Sequence, residues 1–351
     1  MTKKPHGKIT VNICTKQDLR ILFRQTPGND GVWGKYRFLL NDNENKHDWL
    51  LVVDDPKHNC VTELPRERRI LIQSEPVTIK QYPPRYLQQF GATISSIPNR
   101  AQDELNILTH IAIPLMFGVR FEEPPVALSW DQILNQPEHP YKGEVSVVCS
   151  TKCKNIEQVR RLRFLEMLKN RLGGRLHVFG RGFNQIDDKA DGIAGYDYHI
   201  VLENNLLENG WTEKLADPIL GGSFPIFSGA PNVADFFDSR GMRTIDISRP
   251  RRAVEEIIRI LDENPRRRAL QSMEENKKRL MEKHQFFGVV TDLLDDLIRG
   301  GLPAHFDESA RIPGMKLERS WKLRERRVIR APGILRHPAV WRLYLNLFER
   351  G

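Results

Sequence analysis

The sequence predicts an α/β protein built from two Rossmann-like domains in series. Its 351 residues are more than one domain with a single hydrophobic core usually contains. They suit two domains of ~150 residues with a C-terminal extension. Short apolar segments alternate with segments of helical periodicity, which is typical of parallel sheets covered by helices. The polar stretch Asn135–Pro140, with two prolines, indicates a boundary. We therefore expect domains at residues 1–138 and 139–305 and a basic, amphipathic tail at 306–351.

The first domain contains four apolar segments that are predicted to be strands. Two of them run directly into polar turns, Asp54-Asp55-Pro56 and Ser74-Glu75-Pro76. Ligands of parallel sheets bind beyond the carboxyl ends of the strands, so these turns are expected at a functional edge. The strands are predicted at Ile9–Cys14, Trp49–Val53, Arg69–Gln73 and Ala92–Ser95, and a short helix at Pro83–Phe90.

The second domain repeats the alternation more regularly. Residues 144–179 form one strand–helix–strand unit, with a helix that spans 156–172 and that Gly173-Gly174 ends. The remaining strands are predicted at His199–Leu202, Phe224–Phe227 and Arg243–Ile247, and the remaining helices at Thr212–Leu220, Val233–Phe237, Arg252–Leu261 and Arg266–Lys283.

The positive charge is concentrated near the C-terminal end. Residues 311–351 carry 11 Lys and Arg against 3 Asp and Glu, within a chain of net charge +9. The rest of the chain is near neutral, so no nucleic-acid partner is expected. Arginines interspersed with Trp321, Trp341 and Phe348 favour contact with an anionic membrane surface. A solvated basic face, or a terminal helix packed on the first domain, are the alternatives.

The protein is expected to be cytoplasmic, with peripheral attachment to the cytoplasmic face of a membrane through this tail. The apolar run Ile107–Phe117 contains His110 and Pro114 and is shorter than the ~20 residues of a membrane span. The N-terminal residues lack the apolar core of a secretory signal. The four cysteines are expected to be buried thiols, because they lack the partners of a zinc site; they are Cys14, Cys60, Cys149 and Cys153.

Polar residues accumulate where the strand His199–Leu202 ends. Glu203 and Asn204 follow the strand, and Thr212-Glu213-Lys214 begins the next helix, so both ends of this loop face one crevice. A helix N-terminus with a Lys suits a diphosphate, and Asn and Glu suit the hydroxyls of a ribose or a sugar. The alternative is structural: Thr212 caps the helix, Glu213 complements its dipole and Lys214 is solvated.

The order of these residues resembles family 10 of the glycosyltransferases, the α1,3/1,4-fucosyltransferases. The similarity covers roughly residues 144–250 well and the first domain only loosely. The elements that carry it are Val145–Ser150, Arg161–Leu168, Phe179-Gly180-Arg181-Gly182, Leu202-Glu203-Asn204, Thr212-Glu213-Lys214, Gly221–Ile226 and Gly229–Val233.

The resemblance implies a GT-B-like fold, with two Rossmann-like domains facing a central cleft, and inverting transfer of L-fucose from GDP-fucose to a GlcNAc-type hydroxyl of a surface glycan. By this similarity, Arg161 and Lys214 would bind the pyrophosphate, or a neighbouring arginine would replace Arg161. Asn204 and Glu213 would bind hydroxyls of the donor. Glu75 matches the carboxylate that serves as general base, and a turn carboxylate before a proline is the alternative. No cofactor and no metal site is expected.

One position departs from the family pattern. Six residues after Asn204 the family has a tyrosine that contacts the donor, whereas this chain has Gly210 followed by Trp211. Trp211 is predicted to bind the donor in its place. The departure also leaves open a GT-B enzyme that uses another nucleotide sugar, and a nucleic-acid-binding protein that uses the basic tail is the further alternative.

Overall fold

The computed structural model describes residues 7–44, 46–57, 60–75, 80, 82–96, 98, 105–110, 114–153 and 156–320. These residues divide into two compact units. The first contains the described residues up to Pro114, Ala127–Asn135 and those from Met281 onward. The second contains Leu115–Val126 and Gln136–Leu280. Both units are α/β structures with parallel sheets, which confirms the predicted fold class.

Sixteen strands and seven α-helices are present within the described residues. The strands are β1 (Ile9–Cys14), β2 (Val32–Trp33), β3 (Tyr36–Leu40), β4 (Trp49–Val53), β5 (Val61–Thr62), β6 (Arg69–Ile72), β7 (Ala92–Ser95), β8 (Leu105–Leu108), β9 (Val119–Arg120), β10 (Val126–Ala127), β11 (Gly143–Val148), β12 (Leu176–Phe179), β13 (Tyr196–Leu202), β14 (Phe224–Ser228), β15 (Arg243–Thr244) and β16 (Met315–Lys316). The helices are α1 (Pro84–Leu87), α2 (Trp130–Leu134), α3 (Ile156–Leu172), α4 (Glu213–Leu220), α5 (Pro250–Glu263), α6 (Arg266–Arg279) and α7 (Phe286–Arg299).

The sheet of the first unit has seven strands in the order β2-β3-β1-β4-β6-β7-β8. All neighbouring strands are parallel except β2, which pairs antiparallel with β3. The central strand β4 is buried along its whole length, as expected for a strand covered on both faces. The carboxyl ends of β1, β4, β6 and β7 therefore lie at one edge, where the turns after Val53 and Ile72 also lie.

The C-terminal part of the described chain belongs to the first unit, which differs from the predicted boundary at 305. Helix α7 places Phe286 and Phe287 in the core of the first sheet, where the Phe287 ring lies 4.8 Å from that of Phe38. The predicted tail from 306 also begins inside this unit, because Leu317 is buried beside β4 and β16 pairs with β5. Residues 321–351, which carry most of the predicted membrane-binding segment, lie outside the described residues.

The sheet of the second unit has five parallel strands in the order β12-β11-β13-β14-β15. Apolar side chains of α3 and α5 pack on it around Ile200 of the central strand β13. The predicted helix at Val233–Phe237 is a single 3-10 turn, Val233–Asp235, and the last strand is shorter than predicted. No helix in the described parts of the chain is long and apolar enough to span a membrane.

A buried histidine makes the stability of this sheet depend on pH. His199 of β13 is 3% exposed, and its Nδ1 lies 2.8 Å from the Ser146 hydroxyl of β11. Burial, with a contribution from Lys189, lowers the pKa of His199 to about 3. Between that value and ~6.5 the unfolded chain binds a proton that the folded chain does not. Stability contributed by the neutral ring is therefore lost as the pH falls through this window.

We expect His199→Asn, which keeps an acceptor near the position of Nδ1, to flatten this pH dependence. The free energy of unfolding of the wild type should fall more steeply below pH ~6.5, by at most ~1.4 kcal/mol per pH unit for this one proton. Urea unfolding at several pH values measures the difference between the two proteins. Equal slopes for both would show that His199 is not the responsible group.

Candidate functional site

The residues that follow four neighbouring strands lie at the carboxyl edge of the second sheet. Ser150 follows β11, Gly180–Gly182 follow β12, Glu203 and Asn204 follow β13, and Gly229 follows β14. Because all these strands are parallel, their ends lie at the same edge, which is where α/β sheets bind ligands. The predicted loop at the end of β13 is therefore part of a wider polar edge.

Arg161 reaches this edge from helix α3. It is 5% exposed, and its guanidinium donates to Asn204 Oδ1 at 2.7 Å and to the Ser150 carbonyl at 3.2 Å. Its Nε is buried and donates no hydrogen bond within the described residues. The neighbouring Arg160 is exposed instead. The structure thus brings two of the predicted donor-binding residues, Arg161 and Asn204, into direct contact, and within the described residues one donor of the arginine is unused.

Lys214 is held at the start of α4 by a buried carboxylate. Thr212 caps the helix, as the structural interpretation predicts, and its backbone N–H and hydroxyl both donate to Glu203 Oε1 at 2.8 Å. Lys214 Nζ donates to Glu203 Oε2 at 3.2 Å and to the Thr212 hydroxyl at 3.0 Å. The Glu203 side chain is fully buried and that of Lys214 is 24% exposed. Lys214 is therefore a partly buried, oriented cation and not a solvated one.

The surroundings of Lys214 keep it charged. Burial lowers the pKa of Lys214, but the carboxylates of Glu203 and Glu213 outweigh it and raise the pKa well above its ordinary value. A cation at this position is retained over the whole physiological pH range. It lies beside the N-terminus of α4, whose dipole also favours an anion.

Glu213 lies between two lysines. Its Oε1 is 3.3 Å from Lys189 Nζ and 3.6 Å from Lys214 Nζ. Burial opposes ionisation, yet Lys214 and Lys189 together hold the pKa of Glu213 well below its usual range. Lys189 also pairs with Asp217 at 3.3 Å, and Asp217 in turn accepts the backbone N–H groups of Met116 and Phe117. Glu213 is therefore an ionised acceptor that two lysines hold in place.

The predicted donor-binding residue Trp211 is a buried packing residue. Only 3% of it is exposed, and its ring lies edge-on to Phe237 at 5.1 Å and to Phe236 at 5.8 Å. The preceding Gly210 has no room for a side chain, because a Cβ there would lie 2.6 Å from Asn205 Oδ1 and 2.8 Å from the Leu207 carbonyl. The glycine is thus required by the path of this loop.

The turn after β12 depends on two glycines. Gly180 and Gly182 have φ of +112° and +88°, and a Cβ on them would lie 2.3 Å from the Cys149 carbonyl and 2.4 Å from the Thr151 hydroxyl. This close approach fixes the turn against the end of β11 and leaves Arg181 exposed. Arg181 is a further cation of this edge that sequence reasoning did not include among the site residues.

Glu75, the predicted general base, belongs to the first unit. It is an exposed residue in the bend after β6, at the carboxyl edge of the first sheet. It is thus placed by a different unit from the one that holds Arg161 and Lys214. Over the parts of the chain that the structure describes, no group of three or more His, Cys, Asp or Glu residues is arranged to hold a metal ion. All four cysteines are buried and free.

Comparison with known proteins gives structural likenesses at low identity. No family model matches the chain. A crystal structure of alpha1,3-fucosyltransferase with GDP-fucose is 15% identical at a TM-score of 0.49, over 88% of this chain and 95% of that one. A crystal structure of alpha1,3-fucosyltransferase with GDP has 14% identity, the same TM-score and the same coverage. S. aureus TarM in complex with Fondaparinux, alpha-GlcNAc-glycerol and UDP is 9% identical at 0.42, over 75% of this chain and 55% of that one.

Proposed function

We propose that the protein is an inverting glycosyltransferase that moves L-fucose from GDP-fucose to a hydroxyl of a GlcNAc-type sugar. The observation that carries this proposal is the pair of oriented cations, Arg161 and Lys214, at the carboxyl edge of the second sheet. The motif resemblance of residues 144–250 supports the choice of reaction and donor.

The two cations suit the pyrophosphate of a nucleotide sugar. A guanidinium offers planar, paired donors to phosphate oxygens, and an ammonium neutralises charge at one point. Among the described residues, Arg161 Nε has no hydrogen-bond partner, and Lys214 stands at a helix N-terminus. Negative charge grows on the departing diphosphate as the glycosidic bond breaks, so cations fixed in advance stabilise the transition state more than the ground state.

Glu203 is the residue that sets up this arrangement. Its buried carboxylate binds the Thr212 N–H and hydroxyl as well as Lys214 Nζ, so it fixes the helix start and the lysine together. A lysine held in this way needs little rearrangement when the diphosphate arrives. We assign Glu203 a positioning role, and Glu213 and Asn204 the binding of donor hydroxyls.

The acceptor would be activated from the first unit. Glu75 takes the proton of the acceptor hydroxyl while that oxygen attacks the anomeric carbon, and the bond to GDP breaks on the opposite face. The carbon therefore inverts, and GDP leaves with the bonding electron pair. A general base of this kind contributes ~10²–10⁴-fold to the rate.

A second candidate is the same reaction with another nucleotide sugar. It is favoured by Gly210 and the buried Trp211, since neither presents an aromatic surface where the fucosyltransferase pattern has a tyrosine. The two candidates share the diphosphate site and differ in the sugar that is transferred. Binding of an anionic membrane surface by residues 311–351 stays a prediction.

Transfer assays with matched donors distinguish the candidates. The full-length protein is incubated with GDP-fucose, GDP-mannose or UDP-GlcNAc and an acceptor that ends in GlcNAc, and nucleotide release and the new glycoside are measured. We expect a fucoside of inverted anomeric configuration from GDP-fucose alone. Transfer from another donor would support the second candidate. Retained configuration, or absence of turnover with every donor, would contradict the proposal.

A further inference from the structure

Two buried aspartates follow β4 at the carboxyl edge of the first sheet. Asp54 is 2% exposed and Asp55 is fully buried. Asp54 has φ of +58°, a left-handed conformation that few residues other than glycine, asparagine and aspartate adopt. Buried carboxylates are costly unless they are paired, so the groups that bind them indicate what they hold in place.

Asp54 binds groups on both sides of Glu75 in the chain. Its Oδ1 accepts the backbone N–H of Ser74 at 2.8 Å, and its carboxylate also accepts the Ser74 hydroxyl, the Tyr82 hydroxyl and the Gln17 amide. The Tyr86 hydroxyl donates to the Asp54 backbone carbonyl at 2.7 Å. One carboxylate thus ties the residue before Glu75 to a tyrosine seven residues beyond it.

Asp55 binds a lysine that follows Glu75 in the chain. Its Oδ2 is 2.8 Å from Nζ of both Lys80 and Lys16, and its Oδ1 accepts the Ser320 N–H at 2.7 Å. Burial raises the pKa of Asp55, but the two lysines outweigh it and lower the pKa to about 2. The carboxylate is therefore ionised at neutral pH, and it holds Lys80, which is five residues after Glu75.

We propose that Asp54 and Asp55 are positioning residues that hold Ser74, Lys80 and Tyr82, on either side of Glu75 in the chain, and thereby aim Glu75. The proposal rests on the proposed function for the role of Glu75. Glu75 is exposed and directly follows Ser74, whose backbone N–H and hydroxyl both donate to Asp54. A left-handed residue retained in a buried, fully bonded position is consistent with such a role.

Asp54→Asn is the first test. Asparagine keeps the size and tolerates the left-handed conformation, but it removes the charge and turns an acceptor into a donor that faces the groups bound to Asp54. We expect kcat for fucose transfer to fall at least 10-fold, KM for GDP-fucose to stay within about 2-fold, and the Ser74 amide to exchange faster with solvent. The matched control Asp18→Asn changes an exposed aspartate of the same unit that binds only Arg20 among the contacts described for it.

A second pair of variants tests the proposal if Asp54→Asn fails to fold. Lys80→Met and Lys16→Met each remove one 2.8 Å contact with Asp55, but Lys80 lies in the segment after Glu75 and Lys16 does not. Only Lys80→Met should lower kcat. Ser74→Thr should retain activity that Ser74→Ala loses, because threonine keeps the hydroxyl that donates to Asp54.

Three outcomes overturn the proposal: unchanged kcat in folded Asp54→Asn, equal losses in both lysine variants, or unchanged exchange of the Ser74 amide. A wild type that binds GDP and transfers nothing would instead reject the proposed function. The exchange measurement then still decides whether Asp54 fixes the backbone at Ser74.

Discussion

Lys214→Met is expected to abolish the thermal stabilisation of the protein by GDP and to lower the transfer rate by ~10²–10³-fold, the usual effect of removing one preorganised group that stabilises developing charge. Methionine keeps the length and the apolar stem of lysine and removes the ammonium. Melting temperatures with and without GDP, and initial rates of GDP release, measure the two effects.

A control is needed because this change also leaves Glu203 buried without its cation. Removing one partner of a buried ion pair destabilises by ~3–5 kcal/mol, and less is expected here since Lys214 is 24% exposed. The double variant Glu203→Gln with Lys214→Met removes the leftover charge, so it should recover stability and still not respond to GDP. A Lys214→Met protein that is stabilised by GDP as much as the wild type would place the diphosphate elsewhere.

Glu75→Gln should lower kcat by ~10²–10⁴-fold and leave GDP binding unchanged. The amide is isosteric with the carboxylate but takes no proton from the acceptor at neutral pH. Because the proposed diphosphate site belongs to the second unit, the loss should appear in kcat and not in the affinity for GDP. Steady-state kinetics at saturating donor, together with a GDP titration, separate the two quantities.

Glu67→Gln is the matched control for this prediction. Glu67 is also an exposed carboxylate of the first unit, but it lies before β6, at the opposite end of the strand from Glu75. Its replacement should leave kcat within about 2-fold of the wild type. Equal activity of Glu75→Gln and Glu67→Gln would remove Glu75 from the reaction and leave the alternative, a turn carboxylate.

Most strands of both sheets could be predicted from the sequence because each is formed by a short apolar run that is visible in the sequence. Continuous apolar runs such as Trp49–Val53 and Tyr196–Leu202 predict buried strands without any knowledge of their neighbours. Helix α7 was not predicted, and its sequence alone does not show on which sheet it packs. That assignment depends on rings that meet across the fold, such as Phe287 and Phe38.

The site could be predicted only in part, because some of its residues are defined by contacts between distant parts of the sequence. Arg161, Asn204, Glu213 and Lys214 belong to motifs of fixed order, and the structure brings them to one edge. Glu203 and Lys189 act through contacts that sequence spacing does not show, since one is a strand-end residue and the other comes from the loop after β12. A carboxylate directly after an apolar strand was the one signal that could have identified Glu203 as a positioning residue.

Trp211 is a residue whose predicted role differs from its place in the structure. An aromatic residue next to the expected position was predicted to bind the donor, but its neighbours in space, Phe236 and Phe237, enclose it. The chain cannot carry a side chain at 210 without changing the loop, because the Leu207 carbonyl occupies that space. Contacts of this kind decide the role of a residue, and the spacing of residues along the sequence does not show them.

The most direct test of the central claim is calorimetric titration of GDP into the wild type and into Arg161→Gln. The claim is that the carboxyl edge of the second sheet binds a nucleoside diphosphate through its two fixed cations. Charge-assisted hydrogen bonds contribute ~1.5–3 kcal/mol, so we expect one site in the wild type and a dissociation constant roughly 10–100-fold higher in the variant. Equal affinity in both proteins, or no binding of GDP to the folded wild type, would contradict it.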